Sequence, residues 1–201
     1  MSFRPVFASV LAACMVSACA DFHSKQAAVQ VYTLEPSFAA PASAPGTALA
    51  GATLLVPRPL AAPGLDTEGI ALQRNGQRLD YYAASRWAAP LPEIVQSQAI
   101  AALRASGKFR SVQPDGAAFA AELVLQLEIR RCQAEYSGDG PPMVRVQLLA
   151  TLGRRADRSV LATVSAAGAA QAAENRMESV VAAFQSALGA ALGELSTELA
   201  P

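Results

Sequence analysis

The sequence predicts an α+β fold, an antiparallel sheet with two main helices packed on one face, and three observations carry that prediction. Leu123, Leu125, Leu127 and Ile129 alternate with Glu122, Gln126, Glu128 and Arg130, the period of two that marks a strand with one wet face. Asn75-Gly76 joins two strand-like runs, and both residues accept the left-handed backbone that a two-residue hairpin turn demands. Near the end of the chain Met177, Val180, Val181, Phe184, Leu188, Leu192, Leu195 and Leu199 recur at three-to-four spacing, the stripe of a helix lying on a core.

The elements follow in chain order. Val31–Glu35 reads as a first strand, and Pro36–Gly51, rich in Ala, Pro, Ser and Gly, reads as a loop because it has no apolar periodicity. Thr53–Val56 is a second strand, stopped by Pro57-Arg58-Pro59. Gly69–Arg74 and Gln77–Ala83 are the two strands of the hairpin. Pro90-Leu91-Pro92 opens a helix near 92–106, since proline's missing N–H is harmless in a first turn, and Gly107 stops it. Ile94, Val95, Ala99, Ala102 and Leu103 share its apolar face. The alternating strand near 122–131, a turn at Ser137–Pro142, a return near 143–153 and a third strand near 159–166 form an antiparallel meander. The last helix spans about 176–198, with Asn175 and Glu178 spaced as a capping pair. Leu125, Leu127, Val146, Phe184 and Leu188 are the expected core.

Composition limits what such a domain can do. The 201 residues carry 16 Lys+Arg against 16 Asp+Glu, a formal net charge of zero, which speaks against nucleic-acid binding through clustered basic residues. With 52% hydrophobic and 16% charged residues the chain is not a disordered one. One His and three Cys cannot build a multi-His or Cys₄ metal site, so no metal is expected. His23 stands in a polar stretch, leaving a Ser-His-Asp arrangement without a base, and neither a Gly-x-Ser-x-Gly elbow nor a Gly-rich phosphate loop is present. The expectation is a protein that is not an enzyme and uses no cofactor.

The first residues have a separate logic. Arg4 precedes an apolar run that closes on Val16-Ser17-Ala18-Cys19, the layout of a secretory signal too short to span a bilayer. That closing run resembles the bacterial lipobox, whose cysteine sulfur receives a diacylglyceryl group before cleavage leaves it as the first residue. The division expected is a lipoprotein signal peptide at 1–18, a lipidated tether at 19–30 and one domain at 31–199. Leu11-Ala12-Ala13-Cys14 is a competing box, disfavoured because cleavage there leaves an apolar core of only about seven residues. A plain secretory peptide with both cysteines incidental is the remaining alternative. With Cys14 removed and Cys19 lipidated, Cys132 has no disulfide partner and reads as a small strand side chain.

The stretch Gly64-Leu-Asp-Thr-Glu-Gly-Ile-Ala-Leu-Gln-Arg-Asn-Gly-Gln-Arg-Leu-Asp-Tyr-Tyr-Ala-Ala-Ser-Arg-Trp-Ala-Ala-Pro-Leu-Pro-Glu-Ile-Val-Gln96 resembles the ABC-type transport auxiliary lipoprotein family. Tyr32-Thr33-Leu34, Leu54-Leu-Val-Pro57 and Ser106-Gly-Lys-Phe-Arg-Ser-Val112, which exits a helix into a strand, extend the likeness over residues 30 to 198. The resemblance implies a periplasmic accessory of an ABC transport system, partnered by an MCE-domain protein and moving lipid between membranes. It implies a lipid-anchored position at the outer membrane, where the protein docks or receives the MCE assembly, and it is compatible with a homo-oligomer. Ala20-Asp21 places no aspartate next to Cys19, consistent with that destination under the enterobacterial sorting scheme. Two other classes stay open: a structural outer-membrane assembly lipoprotein, and a carrier that holds a lipid itself. Tyr82, Arg86 and Trp87 are the candidate partner contacts, an aromatic and arginine group of the kind enriched at binding hot spots. The same residues read equally as the packing anchor of a domain with a single Trp, and alternation sets Tyr81 and Tyr82 on opposite faces.

Overall fold

The computed structural model describes residues 28–38, 49, 51–74 and 78–199. Cys14, Cys19, His23, the Asn75-Gly76 turn and most of the Pro36–Gly51 loop lie outside them. In chain order the elements are β1 (Gln30–Tyr32), β2 (Thr53–Val56), β3 (Leu60–Ala61), β4 (Gly69–Arg74), β5 (Arg78–Trp87), α1 (Leu91–Ala105), β6 (Ser111–Pro114), β7 (Leu123–Tyr136), β8 (Met143–Arg154), β9 (Val160–Gln171) and α2 (Met177–Glu198). The fold is α+β, and its longest ladders, β7 with β8 and β8 with β9, are antiparallel as expected.

β7 is the spine of the sheet. One edge pairs with β8 along almost its whole length. The other is shared by three short parallel partners in succession: β2 at Leu123 and Val124, β3 at Glu128 and Ile129, and β4 at Ala134 to Tyr136. Outside β2 lies β6, and outside β4 lie β5 and then β1. Pro57-Arg58-Pro59 does end β2, but the chain continues in the same direction to form β3, a pair of residues too short to have a sequence signal. These parallel additions make the sheet mixed at its periphery.

Alternation along β7 is interrupted once. The register slips between Ile129 and Arg131, leaving Arg130 as the extra residue of a bulge. Before the bulge Leu123, Leu125, Leu127 and Ile129 face the core; after it Cys132, Ala134 and Tyr136 do. The strand therefore runs five residues past the point where the sequence pattern fades. β9 likewise runs to Gln171, five residues beyond the expected end, through an Ala- and Gly-rich stretch of weak strand propensity.

Both helices use the apolar faces read from the sequence. α1 starts after Pro90 with Pro92 in its first turn, and Gly107 takes a left-handed φ of 64° just past its end. α2 buries Val180, Phe184, Leu188, Leu192 and Leu195 over β8 and β9, and all five expected core residues are fully buried. The expected capping pair does not form. Arg176 is the residue before α2, and no side chain caps it. Asn175 instead accepts a hydrogen bond from the Tyr136 hydroxyl at 2.8 Å, a long-range partner invisible to local spacing.

The seat of α2 on β9 is unusually close. A Cβ added at Gly168 would lie 1.9 Å from the Ala187 carbonyl oxygen and 3.0 Å from the Ala191 nitrogen. Helix backbone rests on strand backbone at this point, between Ala183, Ala187 and Ala191, all buried. Beside it the Glu194 carboxylate accepts from the Ala167 N–H at 2.7 Å, occupying a donor that the outermost strand otherwise leaves open.

Candidate functional site

The candidate partner contacts Tyr82, Arg86 and Trp87 all lie on β5, and a break in that strand decides where each one points. β5 pairs antiparallel with β4, but between Gly69 and Ala71 the partner jumps from Arg86 to Tyr81. Ala84, in the looped-out part, has a left-handed φ of 51°. Tyr82 and Trp87 are five positions apart and would face opposite ways on a regular strand. The irregularity turns both toward the core.

Trp87 is 1% exposed and meets Phe184 of α2 edge to face, ring centroids 5.3 Å apart. It has no surface to offer a partner in this state, so of the two readings open for this residue the structure places it in packing. Tyr82 is half-buried. Its hydroxyl lies 2.9 Å from that of Tyr136, which donates onward to Asn175 Oδ1, so the Tyr82 hydroxyl is the donor of the first link. Burial, then this hydrogen bond, raise the Tyr82 phenol above its ordinary range. The Arg74 guanidinium stands 4.7 Å over the Tyr136 ring. Arg86 is exposed and pairs with Glu68 at 2.8 Å. Beside it Tyr81 is 45% exposed, lies across Gly69 and donates to the Gly64 carbonyl at 2.7 Å. The polar chain of Tyr82, Tyr136, Asn175 and Arg74 had no signal in the sequence, because its members come from four separate segments.

A second feature lies at the Leu123 end of the spine. A pocket of about 850 Å³ is lined by Leu49, Ala121, Leu123 and Leu161 together with Arg154 and Arg155. Glu122 also borders it; the Thr53 N–H donates to this carboxylate at 2.7 Å and, with Arg110 at 3.0 Å, holds it below the usual carboxylate range. In the β8–β9 turn Asp157 accepts from the Ser159 hydroxyl and N–H and from Arg154, which brings its pKa down to about 2. The run Gly153-Arg154-Arg155-Ala156-Asp157-Arg158 falls between two expected strands and carries no reading from the sequence, although its three arginines are the densest basic cluster in the described chain.

Among the described residues no three His, Cys, Asp or Glu side chains converge as a metal site, and no helix is long and apolar enough to cross a membrane. Cys132 is fully buried in β7, and burial pushes its thiol up to about 12. It is expected to stay unmodified by a water-soluble disulfide reagent in the folded protein and to react stoichiometrically once the protein is unfolded in denaturant; rapid native labelling would contradict its burial.

Residues 32–198 match the family of ABC-type transport auxiliary lipoprotein components. The chain belongs to that family. It is therefore an auxiliary lipoprotein of a transport system, in a family defined by transport and not by catalysis. Among solved structures it is similar to a Xanthomonas campestris protein of the DUF330 family, with 24% identity, a TM-score of 0.75, and 83% of this chain and 92% of that one covered. A second similar structure, an uncharacterised protein, has 13% identity and a TM-score of 0.65, covering 86% of this chain and 99% of that one. At these identities the likeness is one of fold. No curated protein matches the sequence.

Proposed function

We propose that this auxiliary lipoprotein is anchored through acyl chains on Cys19 to the periplasmic face of the outer membrane, after removal of residues 1–18. There it docks or receives the MCE-domain protein of an ABC-type lipid transport system. The observation that carries the reading is the family match over residues 32–198 following directly on a lipobox-like Val16-Ser17-Ala18-Cys19. Acyl chains supply membrane affinity at about 0.8 kcal/mol per buried methylene, so more than one chain gives lasting attachment. Residues 19–30 form the tether, and β1 begins at its last residue. Cys19→Ser is expected to abolish palmitate labelling and membrane retention while Cys14→Ser leaves both intact; the reverse pattern makes Leu11-Ala12-Ala13-Cys14 the processing site.

The docking face proposed is the outer side of β5, with Arg86 and the exposed Tyr81 as contacts and Tyr82 and Trp87 supporting them from beneath. Arg86 is suited to the role because its pair with Glu68 is solvent-exposed, and such pairs add about 0–1 kcal/mol to stability. Arg86→Ala is therefore expected to leave the melting temperature within about 3 °C. The same substitution is expected to reduce recovery of the MCE-domain partner in a crosslinked pull-down from membranes about tenfold, the share of a mid-strength hot spot. Undiminished recovery removes Arg86 from the interface, and failure of the wild-type protein to recover any MCE partner sinks the docking role. Self-association belongs to the same proposal, since Val31 on β1, the strand beyond β5, and Val29 just ahead of it are exposed.

A further inference from the structure

The pocket at the Leu123 end exists because the strands outrun the helix that covers them. α2 crosses β9 at Gly168, under Ala187 and Ala191. From there β9 extends about 23 Å back to Leu161 at the usual strand rise. Beyond Ala191, α2 has only about 10 Å left before it ends at Glu198. The bulge between Leu152 and Gly153 leaves Leu161 unpaired and set against the core rim with Ala162. The space beyond the helix end is the apolar pocket of about 850 Å³, inside the range of roughly 300–1,000 Å³ for small-molecule sites.

Its charge is one-sided. Glu122 is already matched by Arg110 and the Thr53 N–H, and Asp157 by Arg154 and Ser159. Arg155 lines the pocket and Arg158 lines the adjoining groove shared with Arg154 and Arg155. Neither has an ion-pair partner among the described residues. Apolar walls with surplus guanidinium groups fit a molecule that is a hydrocarbon chain at one end and an anion at the other. Guanidinium forks match phosphate oxygens two at a time.

We infer that this pocket holds an acyl chain of an anionic phospholipid, with the phosphate at its mouth against Arg155 and Arg158 of the adjoining groove. The inference deepens the lipid-transport reading and rests on it for the class of cargo. It assigns this chain a direct hand on the lipid in addition to docking.

The test uses the full-length lipoprotein in cells grown with ³²P-phosphate, carrying the photocrosslinker p-benzoylphenylalanine at Ala156 in the pocket wall or, as a control, at Gln147 on the exposed sheet face. The expected result is a radiolabelled phospholipid adduct at Ala156 and none at Gln147. Leu161→Trp, which fills the pocket, removes the adduct. Arg155→Glu with Arg158→Glu, on exposed side chains outside the Asp157 contacts, lowers it about tenfold, the loss expected for a charge-assisted hydrogen bond. No adduct at Ala156, or equal adducts at both positions, overturns the inference. So does an adduct that survives both sets of substitutions and appears equally from the crosslinker at Phe119, which is 79% exposed, since that pattern is contact with a bilayer surface. Retained recovery of the MCE partner without lipid labelling overturns the pocket alone; labelling without partner recovery overturns the docking role alone.

Discussion

Gly168→Ala is expected to destabilise the domain by about 3 kcal/mol, a change normally too small to notice in a strand. The added methyl group would lie 1.9 Å from the Ala187 carbonyl oxygen, where the obstacle is helix backbone and cannot rotate away. Either α2 lifts from β9, unseating Phe184 and Leu188, or the strand bends and loses its register with β8. For a domain of this size the loss is about 6–12 °C in melting temperature. Gly193→Ala on the same helix is the matched control. Nothing lies within 4 Å of its added carbon, and the gain in helix propensity is about 0.5–1 kcal/mol in the stabilising direction. Calorimetry on both variants checks the contrast: a Gly168→Ala protein that melts with the wild type would mean that α2 does not rest on β9 at this point.

Trp87→Ala and Phe184→Ala are each expected to cost about 3–5 kcal/mol. Both side chains are fully buried, and the edge-to-face contact at 5.3 Å is the main aromatic link between β5 and α2. Because the rings touch, the double substitution is expected to cost less than the sum of the two, by about 0.5–1.5 kcal/mol. Chemical denaturation of the four proteins closes this cycle. Strict additivity would show that the rings are buried independently. Trp87→Phe, which retains a ring, separates packing from any contact role: it is expected to recover most of the stability and all of the partner binding.

What could be read in advance follows the range of the forces involved. The meander, α1 and α2 were legible because their apolar residues repeat at the period of the element itself: Leu125 and Leu127 for a strand, Phe184 and Leu188 for a helix. The positions of β3 and the far ends of β7 and β9 were not, since two residues have no period, the bulge at Arg130 reverses the alternation, and Ala and Gly are poor strand formers held in place here by α2. At the candidate site Arg86 and the two tyrosines were visible as a cluster. The face each takes was not, because it depends on the left-handed backbone at Ala84, an unremarkable residue at a remarkable angle only in three dimensions. Asn175 failed as a cap for a related reason: a distant hydroxyl competes for its oxygen, and spacing carries no information about distant groups. The pocket was not legible at all, because its walls come from residues more than a hundred positions apart.

The shared edge of β7 also sets the order in which the chain assembles. Pairings along the β7–β8–β9 meander join neighbours in sequence, whereas the contact of Thr53 with Glu122 closes a separation of 69 residues and that of Gln73 with Gln133 one of 60. Loops of that length are slow to close. β4 can pair early with β5 and β2 with β6, but the edge that joins β2, β3 and β4 into one sheet is absent until β7 has been delivered, and during synthesis or export the first half of the domain waits for the second. Refolding is expected to be rate-limited by capture of those three strands onto a preformed meander, which makes the amino-terminal half the last part to gain protection and the part most open to chaperones while it waits.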